Sequence, residues 1–135
     1  MTILNAVMDR LVPPIDDFPG AGAMGLAPEV EALARRHPPY QRALATFIEK
    51  LAPGWSAGLA PSQQDALLRD LEAADGPAFN AVLELVYLAY YSDPRVHRRL
   101  GWRGGPLQPE GFPLAPFNPE ILRATRQRKP FWRQT

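Results

Sequence analysis

The sequence predicts an all-α protein, a small helical bundle over residues 1–102 that continues into an extended C-terminal arm. Three observations predict this fold class. Apolar residues recur every three or four positions in one segment after another, which is the spacing of a buried helix face. No segment alternates apolar and polar residues as a half-buried strand does. Pro accounts for 16 of the 135 residues, and Pro suits helix starts and extended segments but not the inside of a sheet.

The first helix is predicted at the N-terminus and ends before the Pro13–Pro14 pair. Its apolar residues fall on one face: Ile3, Leu4, Val7, Met8 and Leu11. Residues 13–28 are rich in Pro and Gly and are predicted to be a flexible loop. Gly20, Gly22 and Gly25 have the spacing of a dinucleotide fingerprint, but that motif needs a strand before it and a helix that starts at its last Gly. Prolines flank these glycines on both sides, so we expect no nucleotide site here.

Three more helices are predicted over residues 28–36, from Pro39 to the Pro53–Gly54 pair, and from Pro61 to about Asp75. Pro is favoured in the first turn of a helix, where its missing N–H leaves no bond unmade. Two of these helices have one clear apolar face. In the first it consists of Tyr40, Leu44, Phe47, Ile48 and Leu51, and in the second of Leu67, Leu68 and Leu71.

The most apolar helix is predicted from Ala78 to Tyr91 and has two apolar stripes. One stripe consists of Phe79, Val82, Leu83, Val86 and Tyr90, and the other of Leu85, Leu88 and Ala89. A helix that is apolar on two sides is normally central in a bundle. We therefore expect both stripes to be buried, so that Leu83→Ala costs about 2–5 kcal/mol.

The Asp93–Pro94 pair predicts another helix start, because an Asp side chain can accept a hydrogen bond from a free backbone N–H. This helix is expected to end at Leu100, with Gly101 in its left-handed cap. Residues 103–117 contain four Pro and three Gly and are predicted to form an extended arm. A last short helix is predicted from the Asn118–Pro119 pair. We expect residues 103–135, the arm, this helix and a basic, aromatic tail, to be part of the same domain as the bundle.

Several kinds of reactive site are disfavoured by composition. Cys is absent, which excludes disulfides, thiolate metal sites and a Cys nucleophile. His37 and His97 lack the spacing of a metal pair. A cation site needs about six oxygen ligands, so Asp16 and Asp17 are expected to form turns or caps. No Ser lies in a nucleophile-elbow pattern. The sequence therefore predicts no catalytic residue, no cofactor site and no metal site in this chain.

Charge is distributed unevenly along the chain. Residues 1–94 contain 6 basic and 12 acidic side chains, whereas residues 95–135 contain 9 and 2. A basic region with aromatic residues has part of the pattern of a nucleic-acid-binding protein. There is no helix-turn-helix pair with a basic recognition helix, so nucleic-acid binding is the less favoured alternative. The basic region can equally meet an acidic partner or the acidic part of this chain.

Five aromatic residues lie outside the obvious helices: Trp102, Phe112, Phe117, Phe131 and Trp132. They either fold back on the bundle or insert into a partner. Aromatic side chains are common anchors at interfaces, and an arm that Pro has already stiffened loses less entropy when it docks. For the segment as a whole we favour contact with a partner.

Three motifs occur in order along the chain. The first is DRLVPPIDDFPGA at residues 9–21, with Gly25 after it. The second combines Leu59, Pro61 and Gln64. The third is YYSDPRV at residues 90–96, followed by Leu-Gly-Trp at 100–102 and by Pro109 and Gly111. In this order the motifs resemble those of the gluconate 2-dehydrogenase subunit 3 family.

The resemblance implies a small helical accessory subunit of an FAD-dependent dehydrogenase of the glucose–methanol–choline type, which oxidises sugars, polyols or sugar acids. The large subunit of such a complex carries FAD and the catalytic bases, and a cytochrome subunit, where present, carries haem. This chain would then be non-catalytic and would stabilise the large subunit. The alternative that the residues leave open is a stand-alone helical protein that binds a small molecule. The expected motif or partner-contact residues are Tyr90, Tyr91, Asp93, Pro94, Arg95, Trp102, Phe112, Phe117, Phe131 and Trp132.

Many relatives in this family carry a twin-arginine export signal, which we do not find here. The Arg35–Arg36 pair is followed by His37 and two prolines instead of an apolar stretch. The longest apolar stretch, residues 82–91, is interrupted by Glu84 and is too short to span a bilayer. We expect a cytoplasmic location by default, and a periplasmic one if a partner carries the chain across the membrane.

Overall fold

The computed structural model describes residues 2–56, 58–106 and 110–128. Within these ranges the backbone forms helices and turns, and its only β-type pairing is an isolated bridge between Ile15 and Phe18. The predicted all-α class is confirmed. The chain divides into two compact units, one ending at Arg103 and the other beginning at Gly104. No helix in the described part of the chain is long and apolar enough to cross a membrane.

Among the described residues, the first unit contains six helices and the second contains a 3₁₀ helix followed by one short α-helix. Pro38, Pro61 and Pro94 begin three of them, as expected of a residue that suits the first helical turn. Gly101 has φ of +69° and so adopts the predicted left-handed conformation after α6. The bounds are α1 (Ile3–Leu11), α2 (Ala27–Arg35), α3 (Pro38–Leu51), α4 (Pro61–Ala74), α5 (Gly76–Tyr91), α6 (Pro94–Arg99), the 3₁₀ helix (Pro119–Leu122) and α7 (Arg123–Arg126).

Helix α5 is the centre of the first unit. It packs most extensively against α3 and also contacts α2, α4 and α6. The core of the unit is apolar, and Phe47 of α3 packs its ring against that of Phe79 at 5.9 Å between centroids. Burial of this apolar area is the main force that holds the bundle together. The buried residues of α5 are Phe79, Val82, Leu85, Val86 and Ala89.

The expectation that both apolar stripes of α5 are buried is wrong. Leu85 and Ala89 join the core, but Leu88 is 47% exposed and the neighbouring Tyr87 is 42% exposed. Leu83 is only half-buried. The helices in contact with α5 bury the side that contains Val82 and Val86, whereas Tyr87 and Leu88 lie on the opposite side of the helix and are exposed. Helix α5 therefore presents an apolar face to solvent.

The segment before α2 is packed against α1 and is not the flexible loop that its composition predicts. Gly20, Ala21 and Gly22 are buried. The Asp9 carboxylate of α1 accepts a hydrogen bond from the backbone N–H of Ala23 at 2.9 Å. A Cβ added to Gly22 would lie 1.8 Å from the carbonyl oxygen of Asn5. Here the glycines allow the loop backbone to approach the helix closely, which no larger residue permits.

Leu85→Ala is expected to lower the free energy of unfolding by about 2–5 kcal/mol, because it leaves a cavity in a well-packed core. Leu83→Ala removes the same atoms from a half-buried position and should cost clearly less. Urea denaturation of both variants measures the difference. Equal losses for the two variants would contradict the placement of α5.

Gly22→Ala is expected to lower the free energy of unfolding by at least about 1–3 kcal/mol, because the added methyl group collides with the α1 backbone. Gly76→Ala is the matched control, because a Cβ there meets no atom within 4 Å. Thermal melts followed by circular dichroism compare the two variants. A Gly22→Ala variant as stable as the control would mean that the loop does not pack against α1.

Candidate functional site

The junction between α5 and α6 is held by one carboxylate. Asp93 caps α6, as the sequence predicts, by accepting a hydrogen bond from the backbone N–H of Arg95 at 2.7 Å. The same carboxylate accepts from the Arg95 side chain, from Nε at 2.9 Å and from Nη2 at 2.7 Å. Arg95 Nη2 also donates to the carbonyl oxygen of Met24 at 3.1 Å. Asp93 and Arg95 therefore join the start of α6 to the loop that precedes α2.

The charges at this junction stabilise each other. The hydrogen bonds from the Arg95 guanidinium hold the pKa of Asp93 below its ordinary value, and the Arg95 backbone N–H acts in the same direction. The pKa of Arg95 is raised in return by the Asp93 carboxylate. Both groups are charged at neutral pH, and their main effect is to fix local structure.

The Asp16–Asp17 pair forms the tip of a turn. Asp16 has φ of +53°, a left-handed conformation that Asp tolerates better than most residues. Both carboxylates approach the Arg99 guanidinium of α6, at 3.5 Å and 3.2 Å. The prediction that this pair forms a turn is confirmed. Across residues 2–56, 58–106 and 110–128, no group of three or more acidic or His side chains is arranged to hold a metal ion.

Exposed aromatic residues form a continuous surface along α5 and past the end of α6. Tyr91 is 55% exposed and its ring lies 6.1 Å from that of Tyr87. The His97 ring donates from Nε2 to the carbonyl oxygen of Tyr91 and meets Trp102 edge-on at 4.3 Å. Trp102 is itself 40% exposed. We call the set of Tyr87, Leu88, Tyr91, His97 and Trp102 the aromatic surface.

A shallow groove of about 400 Å³ runs along the α5 part of this surface. Its lining is mostly apolar, with Asn80, Glu84 and Ser92 as its polar members. An exposed apolar surface that carries aromatic side chains is typical of a protein–protein interface. The lining residues are Asn80, Leu83, Glu84, Tyr87, Leu88, Tyr91 and Ser92.

The remaining predicted residues lie in different surroundings. Tyr90 is half-buried, and burial raises the pKa of its hydroxyl. Pro94 is exposed at the first position of α6. Phe112 and Phe117 belong to the second unit and are 72% and 66% exposed. Phe131 and Trp132 lie outside the described residues.

Sequence reasoning misses the exposure of Tyr87, Leu88 and Leu100. Tyr87 belongs to neither predicted stripe, Leu88 is predicted to be in the core, and Leu100, which is 65% exposed, is predicted only as the end of α6 and as part of the third motif. The sequence signal for this exposure is that the last two turns of α5, residues 85–91, contain no charged side chain. A helix that is apolar all round and borders solvent indicates a surface covered by another molecule.

Comparison with known proteins gives one match. A family model described as gluconate 2-dehydrogenase subunit 3 matches residues 1–105. The match covers the first unit and ends close to the start of the second. Neither the curated proteins nor the solved structures contain a significant match to this chain.

Asp93→Asn is expected to make stability less sensitive to acid. The pKa of Asp93 is lowered in the folded protein, so its contribution is present above the unfolded value of about 4 and is lost as the pH falls through the folded value. Asn retains the cap but not the ion pair with Arg95. The free energy of unfolding, measured by urea titration from neutral to acidic pH, should therefore fall less in the variant.

Two further variants complete this experiment. Asp93→Ala also removes the cap and should cost about 1 kcal/mol at neutral pH. Asp70→Asn changes an exposed carboxylate of α4 that is in none of the ion pairs of the described residues, and should behave like the wild type. If Asp93→Asn and the wild type lose stability in parallel, the ion pair does not contribute as described.

Proposed function

The chain belongs to the gluconate 2-dehydrogenase subunit 3 family, and on that premise we propose that it is a non-catalytic accessory subunit of an FAD-dependent dehydrogenase. The partner is a large subunit of the glucose–methanol–choline type that oxidises a sugar, a polyol or a sugar acid. FAD and the catalytic bases belong to that partner, and this chain carries no cofactor of its own. Where the complex includes a cytochrome, that subunit carries the haem. The proposed compartment is the cytoplasm, or the periplasm when the partner is exported.

The observation that carries this proposal is the family match, which spans 105 residues of the chain. The aromatic surface supports it independently. Large contiguous patches of exposed apolar area are uncommon on monomeric soluble proteins and mark interaction sites. Tyr87, Leu88 and Tyr91 would give up contact with water on docking, at about 25 cal/mol for each Å² of apolar area buried.

Assembly and stabilisation follow from the same physics. A partner that binds only the folded state of a protein stabilises that state by mass action. Covering the aromatic surface would therefore stabilise both subunits, although neither contributes a reacting group to the other. A chain with this role needs a rigid bundle, which the α5 core and the Asp93–Arg95 contacts supply.

The arm is proposed as a second contact with the large subunit. Phe112 and Phe117 are exposed in the second unit, and the prolines around them restrict the backbone. Segments that are already stiff lose less entropy on binding. The aromatic residues of the tail, Phe131 and Trp132, are included in this proposal on the sequence alone.

The proposal is tested by co-expression with a candidate flavoprotein of the glucose–methanol–choline type, followed by a pull-down. The wild-type chain should retain a flavin-containing partner, visible by its absorbance. Tyr91→Ala combined with Trp102→Ala should reduce the retained partner about tenfold or more, because interface anchors contribute most of the binding energy. Arg42→Ala, which changes an exposed residue of α3, is the control and should retain the partner fully. Enzymatic turnover by the purified chain alone would contradict the proposal.

Truncation after Trp102 tests the arm separately. The shortened chain should keep its helical circular dichroism spectrum, since the core residues in the described part of the chain precede this position. It should retain less flavoprotein in the same pull-down. If it retains as much as the full chain, the arm is not a contact, whereas the role of the aromatic surface is unaffected.

A further inference from the structure

Glu84 lines the α5 groove and is hydrogen-bonded to the neighbouring helix α3. The hydroxyl of Tyr40 on α3 donates a hydrogen bond to Glu84 Oε2 at 2.7 Å. The Glu84 side chain is otherwise exposed. It takes part in none of the ion pairs formed by the residues that the structure describes. The groove therefore has a carboxylate whose charge is not neutralised within the described part of the chain.

The surroundings of this carboxylate are mostly apolar. Tyr87 and Leu88 lie one helical turn after Glu84 and Tyr91 lies two turns after it, so that all four share one face of α5. Asn80 lies one turn before Glu84 and lines the same groove. A molecule that docks on Leu88 and Tyr91 would also remove water from Glu84.

Removing water from an unpaired carboxylate is costly, whereas pairing it with a cation offsets that cost. Resting on the proposed function, we propose that the α5 groove binds a segment of the flavoprotein subunit that has apolar side chains beside a Lys or Arg. The cation pairs with Glu84, and the apolar side chains cover Leu88 and Tyr91. Because the hydrogen bond from Tyr40 already restricts the Glu84 side chain, less conformational entropy is lost when the carboxylate binds the cation. An acidic segment is rejected, because it would place like charges together.

The Glu84→Gln variant removes the negative charge and is expected to leave the fold unchanged. The Gln side chain retains an oxygen that accepts from Tyr40, so a thermal melt should show an unchanged fold. Binding of the full-length chain to the purified flavoprotein should weaken about tenfold or more, as expected when one partner of a desolvated charge pair is neutralised. The dependence of affinity on salt should also become shallower. Glu49→Gln is the matched control, since Glu49 is an exposed carboxylate of α3 that does not line the groove; it should bind like the wild type.

A second measurement uses the wild-type chain only and does not depend on how the variant folds. Carbodiimide-driven amidation of carboxylates, followed by mass spectrometry, should label Glu84 in the free chain and much less in the complex. Glu49 should be labelled equally in both. Weaker binding by Glu84→Gln together with protection of Glu84 supports the inference.

The failures of the two proposals are distinguishable. If the wild-type chain binds the flavoprotein and Glu84→Gln binds equally well, the charge pair is disproved and the accessory role stands. Equal labelling of Glu84 in the free chain and the complex leads to the same conclusion. If the wild-type chain does not bind the flavoprotein at all, the proposed function fails and this inference fails with it.

Discussion

Helix α5 carries more apolar surface than its own bundle buries, and both the stability of the bundle and the proposed contact with a partner depend on this helix. Its buried residues, among them Val82, Leu85 and Val86, face a core that is enclosed by α2, α3 and α4. Its outer side presents Tyr87 and Leu88 to solvent. In a small domain the surface is large relative to the volume, and here the few helices around α5 leave part of it uncovered. The remaining apolar face is available to another molecule.

Residues of the family motifs stabilise the fold of this chain, in addition to any contact that they make with a partner. Asp93 caps α6 and binds the Arg95 side chain, which in turn holds the Met24 carbonyl. The Gly20 to Gly22 segment lies against α1, where a side chain at Gly22 would not fit. These contacts fix the relative positions of α1, α5 and α6. A rigid arrangement of this kind presents the aromatic surface in one conformation, which lowers the entropy lost on docking.

The fold was largely predictable from sequence, because helix faces and Pro starts are local signals. The cap at Asp93 and the left-handed Gly101 depend on neighbours only a few residues away, and both were predicted correctly. The packing of the loop at residues 13–26 was not predictable, since Asp9 and Ala23 meet only in three dimensions. The exposure of Leu88 was missed for a similar reason. Periodicity shows that a helix has two apolar sides but not how many neighbours cover them. The contact between Tyr40 and Glu84 joins residues far apart in sequence and has no local signal.

Hydroxyl-radical footprinting of the free chain and of its complex with the flavoprotein tests the central claim most directly, because Tyr and Trp side chains react according to their exposure. Tyr87, Tyr91 and Trp102 are the exposed reactive residues of the first unit on the proposed interface. Their oxidation, read by mass spectrometry, is expected to fall strongly in the complex, whereas that of exposed side chains of α3 is unchanged. Equal oxidation of these three residues in the free chain and in the complex would contradict this claim.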